Sequence, residues 1–92
     1  MERTILVVED DAAIRDMVSF NLKRAGFLVI EADDCQSARV QVADHRPDLI
    51  LLDWMLPDTS GVEFARSLGR DELTRDIPII MLTARSTEDD QV

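Results

Sequence analysis

At 92 residues, with 46% apolar and 32% charged side chains, the chain has the balance of one small soluble domain and not of a disordered or fibrous segment. Nineteen acids against ten bases give a net charge of −9, a poor match for direct binding to nucleic acid, and no apolar run reaches the length of a membrane span. The single cysteine, Cys35, allows no internal disulfide and, with an N-terminus that turns acidic at once (MERTILVVEDD), points to a reducing, cytoplasmic setting.

Apolar runs rich in Ile, Val and Leu alternate with amphipathic segments. Thr4 to Val8 reads as a strand without polar alternation. Ile14, Met17, Val18, Leu22 and Ala25 then recur at helical spacing up to Gly26, a natural C-terminal cap. Phe27 to Glu31 is a second strand, Asp34 to Asp44 a helix with Ala38 and Val42 on one face, and Leu49 to Asp53 a third strand. Ser60 followed by Glu63 has the form of a capping box and opens a helix through Val62, Phe64, Ala65 and Leu68 that ends at or near Gly69. Pro78 precedes a fourth strand, Ile79 to Thr83, and the capping residues and acids of Ser86 to Asp90 begin a fourth helix. Strands of this kind separated by helices imply a parallel sheet covered on both faces.

In such a sheet every strand points the same way, so the residues that close the strands gather along one edge. The first strand delivers Glu9, Asp10 and Asp11 there, the third Asp53 and the fourth Thr83. Crowded carboxylates repel and hold protons more tightly unless a cation neutralises them, and a hard divalent ion such as Mg2+ suits oxygen ligands of this kind. Asp10 and Asp53, with a main-chain carbonyl just after Asp53, would serve as ligands. A remaining Asp53 oxygen would then be a nucleophile towards phosphorus, with the Thr83 hydroxyl placed to donate to a phosphoryl oxygen. Taken singly, Asp11 reads as a helix cap, Asp53 as a turn residue ahead of Pro57 and Thr83 as a strand-end hydroxyl. Their convergence is what favours a site. Met17 and Met81 read as core, Trp54 and Met55 as packing residues beside the site, Cys35 as half-buried, and His45 as a helix-terminal residue far from the acids.

ILVVEDD, LILLDWMLPDTSG and PIIMLTAR together resemble, in order and spacing, the signature segments of the receiver domains of two-component response regulators. DWMLP with ELTRDIPIIMLTAR looks close to phosphate-regulon members of the OmpR/PhoB subfamily. The resemblance covers residues 1–92 and implies a flavodoxin-like (CheY-like) doubly wound sheet of strand order 2-1-3-4. It implies that Asp53 is the phosphoacceptor, that Asp10, Asp53 and the Met55 carbonyl bind Mg2+ with Glu9 acting through water, and that Thr83 is the switch hydroxyl, beside a small Ala84. A sensor histidine kinase would be the partner and phosphoryl donor.

The family's fifth strand, ending in a Lys-Pro pair, and its fifth helix have no counterpart in these residues, so the expectation is a receiver incomplete at its C-terminus, with the DNA-binding effector domain absent. Lys23 does not replace the family's lysine, because the first helix carries it roughly 15 Å away from the acids. An uncovered fourth strand would favour homodimers or edge-strand self-association. Two other readings stand beside this one: a receiver fragment that only binds partners, and a phosphohydrolase of the haloacid-dehalogenase type. The latter wants a second Asp two positions after the nucleophile, where this chain has Met55.

Overall fold

The computed structural model describes residues 2–82. Four strands, β1 (Thr4–Val8), β2 (Leu28–Ala32), β3 (Leu49–Asp53) and β4 (Ile79–Leu82), alternate with three helices, α1 (Ala12–Arg24), α2 (Cys35–His45) and α3 (Gly61–Arg70). All pairings are parallel and the strand order is β2-β1-β3-β4, as the alternation implies. The helix expected from Ser86, and Thr83 at the end of the fourth strand, lie outside the described residues.

Local chemistry sets the helix ends. Asp11, Asp34 and Ser60 each stand in extended backbone and accept the N–H three residues on, from Ile14 (3.1 Å), Ser37 (2.7 Å) and Glu63 (3.1 Å). The second half of the capping box is not used: Glu63 pairs with Arg66 at 3.1 Å instead. Gly26 adopts φ 100°, the left-handed conformation that a helix C-terminus favours. Gly69 does not end α3, which continues to Arg70.

The core lies between the sheet and helices α2 and α3. Leu6, Val8, Ile50 and Leu52 of the two central strands bury against Ala38 and Val42 of α2 and Phe64 and Leu68 of α3. Cys35 belongs to this core at 3% exposure, more deeply placed than a half-buried residue, and burial beside the Asp58 carboxylate pushes its thiol up to about 11. Met81 packs against the core as expected, but Met17 is 57% exposed. The apolar stripe of α1 is Ile14, Val18 and Leu22, each half-buried, with Ser19 buried beside it, and at about 100° per residue Met17 falls on its flank. Trp54 and Met55 are likewise exposed, because β3 ends at Asp53 and the turn carries them out of the sheet. No helix among the described residues is long and apolar enough to cross a membrane.

Phe64 is the largest fully buried side chain, and the Arg39 guanidinium stacks 5.0 Å above its ring while reaching Ser67 at 3.1 Å. Phe64→Ala is expected to lower unfolding free energy by about 3–5 kcal/mol in urea titration, a large share of what a domain this small holds.

Candidate functional site

Register places the acids. Val8 of β1 is paired with Leu52 of β3, so the residues that follow, Glu9 and Asp53, emerge side by side at neighbouring strand ends. Glu9 donates its own N–H to the Ala32 carbonyl at 3.0 Å, which extends the β1–β2 ladder by one residue and holds the start of the loop. Glu9 and Asp53 are each 2% exposed, whereas Asp10 faces solvent. One carboxylate oxygen from each of Glu9, Asp10 and Asp53 lies within 4.8 Å of the others. The sequence-predicted acids are therefore brought together.

Asp11 is not among them; it caps α1, the bland role weighed for it, and its N–H donates to Glu9 Oε2 at 3.0 Å. Asp53 Oδ1 accepts the Trp54 N–H at 2.9 Å, so the turn role and the cluster role coexist in one residue. Met55 stands in the turn, bridged antiparallel to Ser60, the N-cap of α3. Lys23 is in the last turn of α1, at the end away from Asp11, and His45 in the last turn of α2. Asp53 is register-paired with Leu82, so Thr83 follows directly in sequence but lies outside the described residues.

Three further residues shape the site and were not singled out from the sequence. A Cβ on Gly61 would collide with the Asp53 carbonyl oxygen, so the absence of a side chain lets α3 begin against the end of β3, where the Gly61 N–H donates to the Trp54 carbonyl at 2.7 Å. Arg15 donates to the Glu9 carbonyl at 2.8 Å and stands 3.9 Å from Glu31, whose other oxygen accepts from Ser19 at 2.5 Å. Asp58, in the turn, accepts from the N–H groups of Cys35 and Gln36. A glycine directly after a capping serine was the one available sequence signal; contacts over 22 or 23 residues, such as those of Asp58, leave none.

Burial is the main reason that Glu9 is pushed up from the usual carboxylate range to about 7, and the charges of Asp53 and Asp10 add to it against the opposing Asp11 N–H. The donor set fits a hard divalent cation: three carboxylates that each bring an oxygen within 4.8 Å of the others. Because the folded-state affinity of Glu9 for its proton is raised, its contribution to stability is complete below about pH 4.5 and is lost as pH climbs towards 7. Glu9→Gln should therefore leave the metal-free protein nearly unchanged at pH 4 and stabilise it by about 1–3 kcal/mol at pH 8, read by urea unfolding at both pH values.

Comparison with known proteins agrees with this geometry. Residues 5–92 match the response regulator receiver domain family. The chain is 57% identical over 90 residues to the phosphate regulon transcriptional regulatory protein PhoB of Pseudomonas aeruginosa, covering 98% of this chain and 39% of that protein. It is 56% identical over 92 residues to PhoB of Escherichia coli, covering 100% of this chain and 40% of that protein. The chain thus spans about 40% of the length of these curated relatives. Among solved structures, the chemotaxis response regulator CheY4 of Vibrio cholerae superposes with a TM-score of 0.86 at 34% identity over 99% of this chain and 77% of that one. The receiver domain of the sensor histidine kinase PA1611 of Pseudomonas aeruginosa, solved with a magnesium ion coordinated in its active site cleft, gives 0.86 at 31% identity over 99% of this chain and 75% of that one. With fold, acidic cluster and family match in agreement, the chain belongs to the response regulator receiver domains of two-component systems.

Proposed function

We propose that this domain accepts a phosphoryl group on Asp53 from the phosphohistidine of a sensor histidine kinase and thereby switches a transcriptional regulator of phosphate-response genes. The observation that carries the reading is the convergence of Glu9, Asp10 and the buried Asp53 at adjoining strand ends. The regulon and an output on DNA follow from the relatives named as phosphate regulon transcriptional regulatory proteins, of whose length this chain spans about 40%. We take the setting to be cytoplasmic and residues 1–92 to be the receiver portion of such a regulator. The domain acts as a signalling phosphoacceptor and not as a turnover enzyme.

In the transfer, an Asp53 oxygen attacks phosphorus, an acyl–phosphate O–P bond forms, the P–N bond to the donor imidazole breaks, and the departing nitrogen takes up a proton. Asp10, Asp53 and the Met55 carbonyl would hold Mg2+, with Glu9 acting through water, and the cation would supply positive charge against the transferring phosphoryl oxygens. The Gly61 and Trp54 backbone contacts keep the Asp53 carboxylate at the end of a rigid strand, so little reorganisation accompanies attack. Phosphorylation adds about −1 to −1.5 charge. The Thr83 hydroxyl, next to the small Ala84, then donates to a phosphoryl oxygen and biases the segment after β4 towards its active arrangement.

Acetyl phosphate with Mg2+ should add one phosphoryl group to the intact mass, and Asp53→Ala or chelation of the metal should abolish that gain. Asp10→Ala should raise the Mg2+ requirement by about tenfold or more, as loss of a direct carboxylate ligand does. Labelling that survives Asp53→Ala would overturn the assignment, and turnover of many phosphate esters per chain would favour the haloacid-dehalogenase-type reading instead.

A further inference from the structure

On the proposed reading of the site the turn between β3 and α3 presents the Met55 carbonyl to the cation, yet Met55 itself is 65% exposed and offers no buried side chain to anchor it. Two contacts fix the turn from beyond its own length. Leu56 packs against the core, and the Asp58 carboxylate grips the first turn of α2, with Oδ1 accepting from Cys35 N–H and Oδ2 from Gln36 N–H, both at 3.0 Å. Helix α2 already has its own cap in Asp34, which accepts from Ser37 N–H. Asp58 is thus a second carboxylate on one helix terminus, delivered from a different loop, and each of its oxygens takes one of the N–H groups that Asp34 leaves to others. The N–H groups of Cys35 and Gln36 hold Asp58 below the usual carboxylate range, in keeping with a charge-assisted contact.

We propose that Asp58 is a positioning residue for the phosphoacceptor site: by tying the tip of the β3–α3 turn to the rigid start of α2, it fixes the Met55 carbonyl where the cation is held. The proposal rests on the reading of the site given above. Helix α2 is a sound anchor because Cys35, Ala38 and Val42 bury its inner face in the core. The span from Asp58 back to Met55 is only three residues and includes Pro57, whose fixed φ limits how far the two ends move independently. Freeing Asp58 would therefore loosen the carbonyl while leaving Glu9, Asp10 and Asp53 on their strand ends.

The test compares the wild-type protein with Asp58→Ala and the isosteric Asp58→Asn. In metal-free protein, amide hydrogen exchange should accelerate in Asp58→Ala both at Cys35 and Gln36 and at residues 54–57. Mg2+ titration followed by Trp54 emission should show the dissociation constant rising about three- to tenfold in Asp58→Ala. Asp58→Asn, whose amide oxygen still accepts from one N–H, should fall between. Acetyl phosphate labelling should slow at limiting Mg2+ and recover as Mg2+ is raised, a split that a loss of stability alone does not produce. Faster exchange confined to α2, with Mg2+ affinity and labelling of both variants within about twofold of wild type, would reduce Asp58 to a helix cap and overturn the proposal. A wild-type protein without a saturable Mg2+ response would instead sink the reading of the site, while the exchange measurement still decides whether Asp58 couples the two segments.

Discussion

Carboxylates do not gather in a protein interior of their own accord, and the placement of Glu9 and Asp53 at 2% exposure beside Asp10 is the constraint around which this domain is built. Each buried negative charge loses hydration and meets its neighbours across a few ångströms, so the cluster opposes folding wherever it is fully ionised without a cation. Glu9 takes up the strain as proton affinity, rising to about 7, which leaves the cluster able to shed charge when empty and to accept it when filled.

Only a parallel sheet makes such crowding economical. In register, Val8 with Leu52 and Asp53 with Leu82, the strands deliver successive residues to one edge with no loop flexibility to be frozen. Behind that edge the core is continuous, from Leu6 and Val8 through Ile50 and Leu52 to Phe64, so burial of apolar surface holds the strand ends against the repulsion between their acids. The geometry also explains why α3 begins as it does. Its first residue abuts the Asp53 carbonyl, which leaves space for glycine alone, and the capping serine has to precede it.

The fold was legible because period and punctuation agree. Uninterrupted apolar strands, caps at Asp11, Asp34 and Ser60, and Gly26 after α1 all report local physics, and local physics decides element type. The acids were legible because strand ends are shared by topology. What the sequence hid are contacts between distant segments: Arg15 on the Glu9 carbonyl, Ser19 on Glu31, Asp58 on α2. An arginine or aspartate on an exposed stretch looks the same whether it is solvated or bound to a main-chain group. Met17 misled for a related reason, since periodicity marks an apolar residue near a stripe without showing which side of it is covered.

Two of those hidden contacts, with Gly61, share one property: Arg15 holds a carbonyl, Asp58 holds two N–H groups, and Gly61 lets the Asp53 carbonyl approach, so each acts on the main chain. Contacts on the backbone fix where the strand ends and the turn lie without drawing on the lone pairs of the clustered carboxylates. Division of labour of this kind lets a buried acidic cluster change its charge, as the raised proton affinity of Glu9 already allows, while the backbone beneath it stays fixed.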